Sequence, residues 1–174
     1  MKKSSIIGLI FVISVFIFIA LYTTIQYQNR LNEYRRPIRI NLSRIHEALV
    51  AYYEINKQLP DTLEDLFKGK YDKNDIHEFT DAPVNDDFGF FSNWKKYYLP
   101  LLYDAKLRNT FKNSSPDTII VASPRSIKGE RYVLLLKDIV DFKSARYKTS
   151  SNLVNIMDED EFQQQAKIQN WTIK

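Results

Sequence analysis

Residues Ile6 to Ile25 read IIGLIFVISVFIFIALYTTI, a run without a single charge. At about 1.5 Å per residue, a helix of that length reaches about 30 Å, the thickness of a bilayer's hydrocarbon core. Only structures that satisfy their own backbone hydrogen bonds survive in lipid, so a lone segment of this kind must be helical. The run is therefore predicted as a membrane-spanning helix. Lys2 and Lys3 precede it, and Tyr22 and Tyr27 stand where interfacial aromatics are expected. The competing reading is a cleaved secretory signal. The run is longer than a usual signal core, and no small-x-small site follows at Ala20-Leu21-Tyr22, so the anchor is expected to be retained.

With the span set aside, the rest of the 174-residue chain is enough for one domain with a real core. The predicted organisation is a membrane anchor over residues 1–25, a polar and basic helical connector over 26–40, and an α+β domain over 41–174. The sequence contains no cysteine, which excludes disulfides, thiolate metal sites and cysteine nucleophiles. Its charge is unevenly placed. From Asp61 onward 17 Lys and Arg face 18 Asp and Glu, whereas residues 1–60 hold 8 against 3. The basic excess thus lies at Lys2, Lys3, Arg30, Arg35, Arg36, Arg39 and Arg44, beside the apolar run. Such clusters meet lipid headgroups, whereas a nucleic-acid binder spreads its basic face over the folded domain. Membrane lipid is the expected partner, and nucleic acid is not. The lysines before the span argue for an inside N-terminus and the arginines after it for the opposite.

Beyond the span, Gln26–Arg36 is expected to continue the helix, with Pro37 as a kink or restart. Ile38, Leu42, Ile45, Leu49 and Tyr52 then recur at spacings of four and three, one stripe of an amphipathic helix. Leu59-Pro60 ends it, and Asp61 or Thr62 caps a short turn through Leu63, Leu66 and Phe67. Lys68–Phe91 reads as a loop rich in Asp and Asn. Lys95–Tyr103 reads as a strand that Pro100 makes an edge or a bulged one. Thr118–Ala122, Arg131–Leu136 and Ile139–Phe142 read as further strands, the last two joined by a tight turn at Lys137-Asp138. Asp158–Ile168 reads as a final helix. The fold class is α+β: a transmembrane helix leading into an amphipathic helix packed on a small antiparallel sheet of about four strands, with a C-terminal helix.

Two stretches resemble the type IV pilin and type II secretion pseudopilin superfamily. One is RIHEALVAYYEINKQLPDTLEDL, residues 44–66, similar to the family's helix end followed by its Leu-Pro-Thr-Leu-like turn. The other is SPRSIKGERYVLLLKDIVDF, residues 123–142, similar to the C-terminal hairpin of pseudopilin-like proteins, with Lys137-Asp138 where those have Asp-Gly. After the family's pattern, Gly8 would end the leader and Leu9 would begin the mature chain, which puts Ile13 where the family carries Glu. The resemblance implies an extracytoplasmic domain on an inner-membrane anchor, and a structural role beside other membrane or pilin-like subunits. Close helix packing in the membrane is expected at the small residues Gly8, Ser14 and Ala20. Ile38, Leu42 and Ile45 are the expected contact surface beyond it, set against the plainer reading that they pack on their own sheet.

Little points to catalysis. His46 and His77 form no HExxH pair, no Gly-x-Ser-x-Gly accompanies the serines, and no small-molecule substrate is suggested. No cofactor is expected, with calcium the one ion considered, because oxygen ligands concentrate between Asp72 and Asp87. Asp81, Asp86 and Asp87 are its candidate ligands, against the reading of a solvated loop. Trp94, Tyr97, Tyr98, Phe90 and Phe91 form an aromatic cluster, a candidate binding surface set against the favoured reading that it is the edge of the core. The rivals to a pilin-like subunit are an unrelated single-pass interaction domain and a membrane-tethered enzyme.

Overall fold

The computed structural model describes residues 3–140 and 153–171. Its first element, α1, is one helix from Lys3 to Asn56, with Pro37 inside it. Proline there removes one helical hydrogen bond but does not end the helix. The helix closes at Lys57, whose φ of 52° is left-handed and whose N–H donates to the Tyr53 carbonyl at 2.9 Å. The chain divides into two compact units, Met1–Tyr34 and Arg35–Lys174, so the domain takes in residues 35–40 of the expected connector.

In the first unit, the large apolar side chains from Ile6 to Ile25 are exposed, and this helix is long and apolar enough to cross a membrane. In the second unit the stripe turns inward. Ile38, Leu42, Ile45 and Leu49 are all 0% exposed, and Tyr52 is half-buried.

After α1, Thr62 starts a 3-10 turn over Leu63–Phe67, its N–H donating to Asp65 Oδ2 at 2.9 Å. Hydrogen bonding from Lys68 holds the Asp65 carboxyl below its usual range. Where a loop is expected, the chain instead forms helix α2, Lys73–Thr80, capped by Asp72, and then strand β1, Asp81–Val84. The expected single strand over Lys95–Tyr103 is two strands: β2, Tyr97–Pro100, and β3, Leu102–Tyr103. They belong to different sheets. Among the described residues β2 pairs with β1 alone, so Pro83 and Pro100 lie in a two-stranded ribbon, where a missing N–H costs little.

β3 opens the main antiparallel sheet, of order β3-β4-β5-β6, in which β4 is Ile119–Ala122, β5 is Glu130–Leu135 and β6 is Asn155–Asp158. A bulge in β4 between Ile119 and Val121 lets Ile119 and Ala122 reach the same core cluster. That cluster also contains Val133, Leu135 and Met157, together with Phe162 and Ala166 of the C-terminal helix Glu159–Ile168. By strand alternation, Tyr132 and Leu134 face the other side. Tyr132 lies near enough to Arg35 and Arg39 to feel their charge, which places α1 over that face. The domain is thus α1, sheet and C-terminal helix in three layers. Between β3 and β4 run a short helix α3, Leu107–Thr110, and a 3-10 turn, Phe111–Asn113.

The tight turn expected at Lys137-Asp138 is a helix, α4, Leu136–Val140. Leu136 and Ile139 are both buried, and their three-residue spacing gives a helix one inward face where a strand would split them. Of the strand expected at Ile139–Phe142, residues 141 and 142 lie outside the described residues. The final helix, α5 (Glu159–Ile168), starts at Asp158, whose side chain accepts from the Asp160 N–H at 2.9 Å. Three carboxylates in its first turn meet the positive end of the helix dipole.

Candidate functional site

The residues expected to mediate contacts fall into three places. Gly8, Ser14 and Ala20 are exposed on the apolar helix, and nothing approaches a Cβ built on Gly8 within 4 Å. Their spacing of six residues turns the helix about 240° at each step, so the three point roughly 120° apart. They do not form the single small-residue face that close packing of two helices uses. Ser14 donates to the Ile10 carbonyl at 2.9 Å, and Thr24 to the Ala20 carbonyl at 2.8 Å. The hydroxyls are thereby satisfied inside the helix, as a lipid environment requires.

Ile38, Leu42 and Ile45 are buried in the core of their own domain. In this fold they hold α1 on the sheet and offer no surface to another subunit. Polar bonds fix the helix in the same position. Arg35 pairs with Glu130 at 2.9 Å, and Asn41 donates to the Asp81 carbonyl at 2.6 Å. His46 is buried, with Nε2 2.9 Å from the Asp138 carbonyl. Because a carbonyl only accepts, Nε2 carries the proton. His46 therefore serves as a tie between α1 and α4.

The three candidate calcium ligands do not converge. Asp86 bonds Arg125 and accepts from the Tyr97 hydroxyl at 2.8 Å. Asp87 accepts from the Gly89 N–H at 2.7 Å and is held acidic first by a hydrogen bond from Ser92. Asp81 begins β1 with His77 as its neighbour at 3.9 Å. Among the described residues no group of three or more His, Asp or Glu is placed to hold a metal ion.

Asp81 nevertheless has a measurable signature. Burial raises its carboxyl above the usual carboxylate range, and the nearby His77 only partly opposes this. A raised folded value means that the charged form is the less stable one in the fold. The penalty enters as pH rises from the unfolded value towards the folded one, and is complete above it. Asp81→Asn should therefore gain stability relative to the parent as pH rises through that window, with a constant gain above it. Thermal melts of both proteins at pH 3 to 8 check this, and a gain that shrinks with pH would refute it.

The concavities on the domain include two that α1 helps to line. One, of about 450 Å³, is lined mainly by Tyr53, Phe111, Pro116, Leu136 and Val140 and has no acid or histidine in its wall. The other, of about 410 Å³, lies between α1 and α2 and is lined by Arg44, Glu47, Ala48, Phe67, Tyr71 and Phe79. Its floor is an aromatic stack, with Phe67 and Phe79 5.4 Å apart and the Arg44 guanidinium 4.8 Å from the Phe79 centroid.

The aromatic cluster differs most from expectation. Trp94 and Tyr97 are half-buried, but Phe91 is 95% exposed, Tyr98 59% and Phe90 40%. Phe90 and Phe91 lie on the β1–β2 loop and Tyr98 on β2, and all three side chains are exposed. Nothing in the local sequence separates an inward from an outward aromatic. Its run of four aromatics around Gly89, followed by two lysines, was the only available signal. No family model matches the chain, and no curated protein or solved structure matches it.

Proposed function

We propose that this chain is a single-pass membrane protein with a pilin-like structural or assembly role in an envelope or secretion apparatus. Its α+β domain lies outside the cytoplasm and its N-terminus inside. The observation that carries the reading is α1, which leads from the apolar segment into the domain as one unbroken helix, Lys3–Asn56. A domain that merely needs tethering is served by a flexible linker. A continuous helix instead carries the chain from the segment into the domain without such a linker. The residues that carry the family resemblance fall on the end of this helix, the 3-10 turn after it, and β5. A second reading, an unrelated membrane-anchored interaction domain, is favoured by Ile13 at the position where the family carries Glu.

Replacing residues 6–25 with an unrelated apolar span of equal length separates the two. The exchange covers the whole segment because Gly8, Ser14 and Ala20 do not share a face. The chimera is expected to be stable and inserted, yet to lose crosslinks to neighbouring membrane subunits and to fail to complement a deletion strain. Full complementation would favour the second reading. Orientation is checked in the same cells: protease added to spheroplasts should digest the domain, and protection until lysis would reverse the assignment.

A further inference from the structure

Two separate surfaces of the domain complement each other. The first is the loop between β1 and β2. Gly89 N–H donates to Asp87 Oδ1 at 2.7 Å, and the Gly89 carbonyl accepts from the Ser92 N–H at 3.2 Å and from Trp94 Nε1–H at 3.0 Å. This frame leaves Phe91 95% exposed, in edge contact with Phe90 at 5.0 Å. It also fixes a charge beside the rings. The Asp87 carboxylate is exposed and bound to the Gly89 N–H, next in sequence to Phe90, while Asp86 is engaged by Arg125. The loop thus presents an apolar knob with a carboxylate at its base.

The second surface is the concavity between α1 and α2. Phe67, Tyr71 and Phe79 form its aromatic side, with centroids 5.1 to 5.8 Å apart. α1 lends Ala48 and Ala51, whose short side chains leave the space open. Arg44 lies 4.8 Å from the Phe79 centroid, and Lys70 Nζ lies 5.5 Å from that of Tyr71. Among the described residues neither cation pairs with a carboxylate, and the acid of the lining is Glu47. Two cations against one acid leave the lining positive. Its volume of about 410 Å³ is that of a site for a small ligand, with room for two phenyl rings.

Knob and concavity match in both respects. Phenyl rings pack edge-on against aromatic walls, and a carboxylate meets guanidinium or ammonium. Aromatic anchors seated in a pocket beside arginine are what hold protein interfaces together. The knob does not fill the concavity of its own chain, since Phe91 is almost wholly exposed and β1, four residues or about 13 Å of strand, separates Phe79 from the loop. A contact between two different surfaces of one chain is heterologous. Each copy offers its knob to one neighbour and its concavity to another, so the contact repeats from copy to copy.

We propose that the Phe90–Phe91 tip of one copy seats in the α1–α2 concavity of the next, with Asp87 turned to Arg44 and Lys70. The proposal deepens the assembly reading and rests on it. Because the chain has no cysteine, single cysteines report the contact cleanly. Full-length Asn93→Cys and Ala51→Cys forms, each with its own epitope tag, are co-expressed in the deletion strain, and the membranes are treated with a short bismaleimide. A dimer carrying both tags is expected, at severalfold the yield of a control pair in which Ile168→Cys replaces Ala51→Cys. A chain carrying both Asn93→Cys and Ala51→Cys should give a ladder above the dimer. Adding Phe90→Ser and Phe91→Ser to the first form, or Arg44→Glu to the second, should cut the mixed dimer severalfold. The serine form should keep the parent's urea midpoint in detergent, since both rings are exposed, so its lost crosslink reads as lost contact. A mixed dimer no stronger than the control, or one that survives the serines, would overturn the proposal. Dimers of the Asn93→Cys form alone in preference to the mixed pair would overturn it in favour of a tip-to-tip contact. The assembly reading fails by a different result, complementation by the chimera with residues 6–25 exchanged, which these crosslinks do not use.

Discussion

Replacing Leu49 by alanine should cost about 2–5 kcal/mol, whereas the same change at Glu54 should cost less than about 0.5 kcal/mol. The two residues lie on the same helix, five positions apart, so helix propensity and chain entropy shift in similar ways in both variants. They differ in burial: Leu49 is 0% exposed and Glu54 faces solvent. Removing the leucine branch leaves a void between α1 and the neighbouring layers, and those layers are tied together elsewhere by Asn41, His46 and Arg35. These ties limit how far the helix can collapse into the space, which pushes the cost towards the upper part of the range. A whole domain is stable by only about 5–15 kcal/mol, so the loss should be obvious. Urea unfolding of both full-length variants in the same detergent measures it. Equal, small losses would mean that the buried face of α1 has been misassigned.

That face was legible from the sequence because four apolar residues recur over three turns, long enough for the helical period to stand out. The same holds for the apolar span, for β4 and β5 with their β-branched and leucine runs, and for α5 with Asp158 before three acids. Short elements carry no such signal. α2 has only Ile76 and Phe79 to mark an inner face, and its Asp and Asn residues, which cap and solvate it, are those a loop also uses. β6 was missed because only Met157 of its four residues is buried, while the apolar Ile156 is 56% exposed. Leu136–Val140 was read as strand and turn because Lys137-Asp138 is turn-like. Leu136 N–H still donates to the Thr118 carbonyl at 2.8 Å, so the chain turns helical just past the β4–β5 pairing, a point no local pattern reveals. Pro100 was expected to make the strand an edge or a bulged one, and it ends β2, a strand of the two-stranded ribbon, where the chain passes to the other sheet. For the candidate site, Asp81, Asp86 and Asp87 lie close in sequence, yet each has a different neighbour. Which of the aromatics face outward was not legible, because side-chain direction at a loop depends on the hydrogen bonds that shape it.

The largest effect of a polar substitution is expected at Arg131, whose role the sequence also hid, since its partner lies 28 residues away. The side chain is 5% exposed and grips Glu159 with two bonds, Nε to Oε2 at 2.7 Å and Nη2 to Oε1 at 2.8 Å. Nη1 donates to the carbonyl of Ser123 at 3.0 Å, and the guanidinium carbon lies 4.1 Å from the Phe162 centroid. One residue of β5 thus joins the start of α5 to the end of β4. Arg131→Ala removes every one of these bonds and leaves the Ser123 carbonyl buried without that donor, so a loss of about 3–5 kcal/mol is expected. Arg131→Lys should recover only part, because an ammonium cannot span both carboxylate oxygens in one plane. Glu159→Gln should cost less than Arg131→Ala. Glu159 is the more exposed partner, its side chain 24% accessible, and it also accepts from Gln163 at 2.6 Å, so the clamp depends more on the arginine. Pairing Arg131→Met with Glu159→Leu should restore much of the stability, since an apolar pair of similar volume avoids desolvating two charges. Denaturant unfolding of the four variants measures these losses. A loss below about 1 kcal/mol for Arg131→Ala, or a double variant no better than that single one, would show that packing around Phe162, and not the ion pair, holds α5 on the sheet.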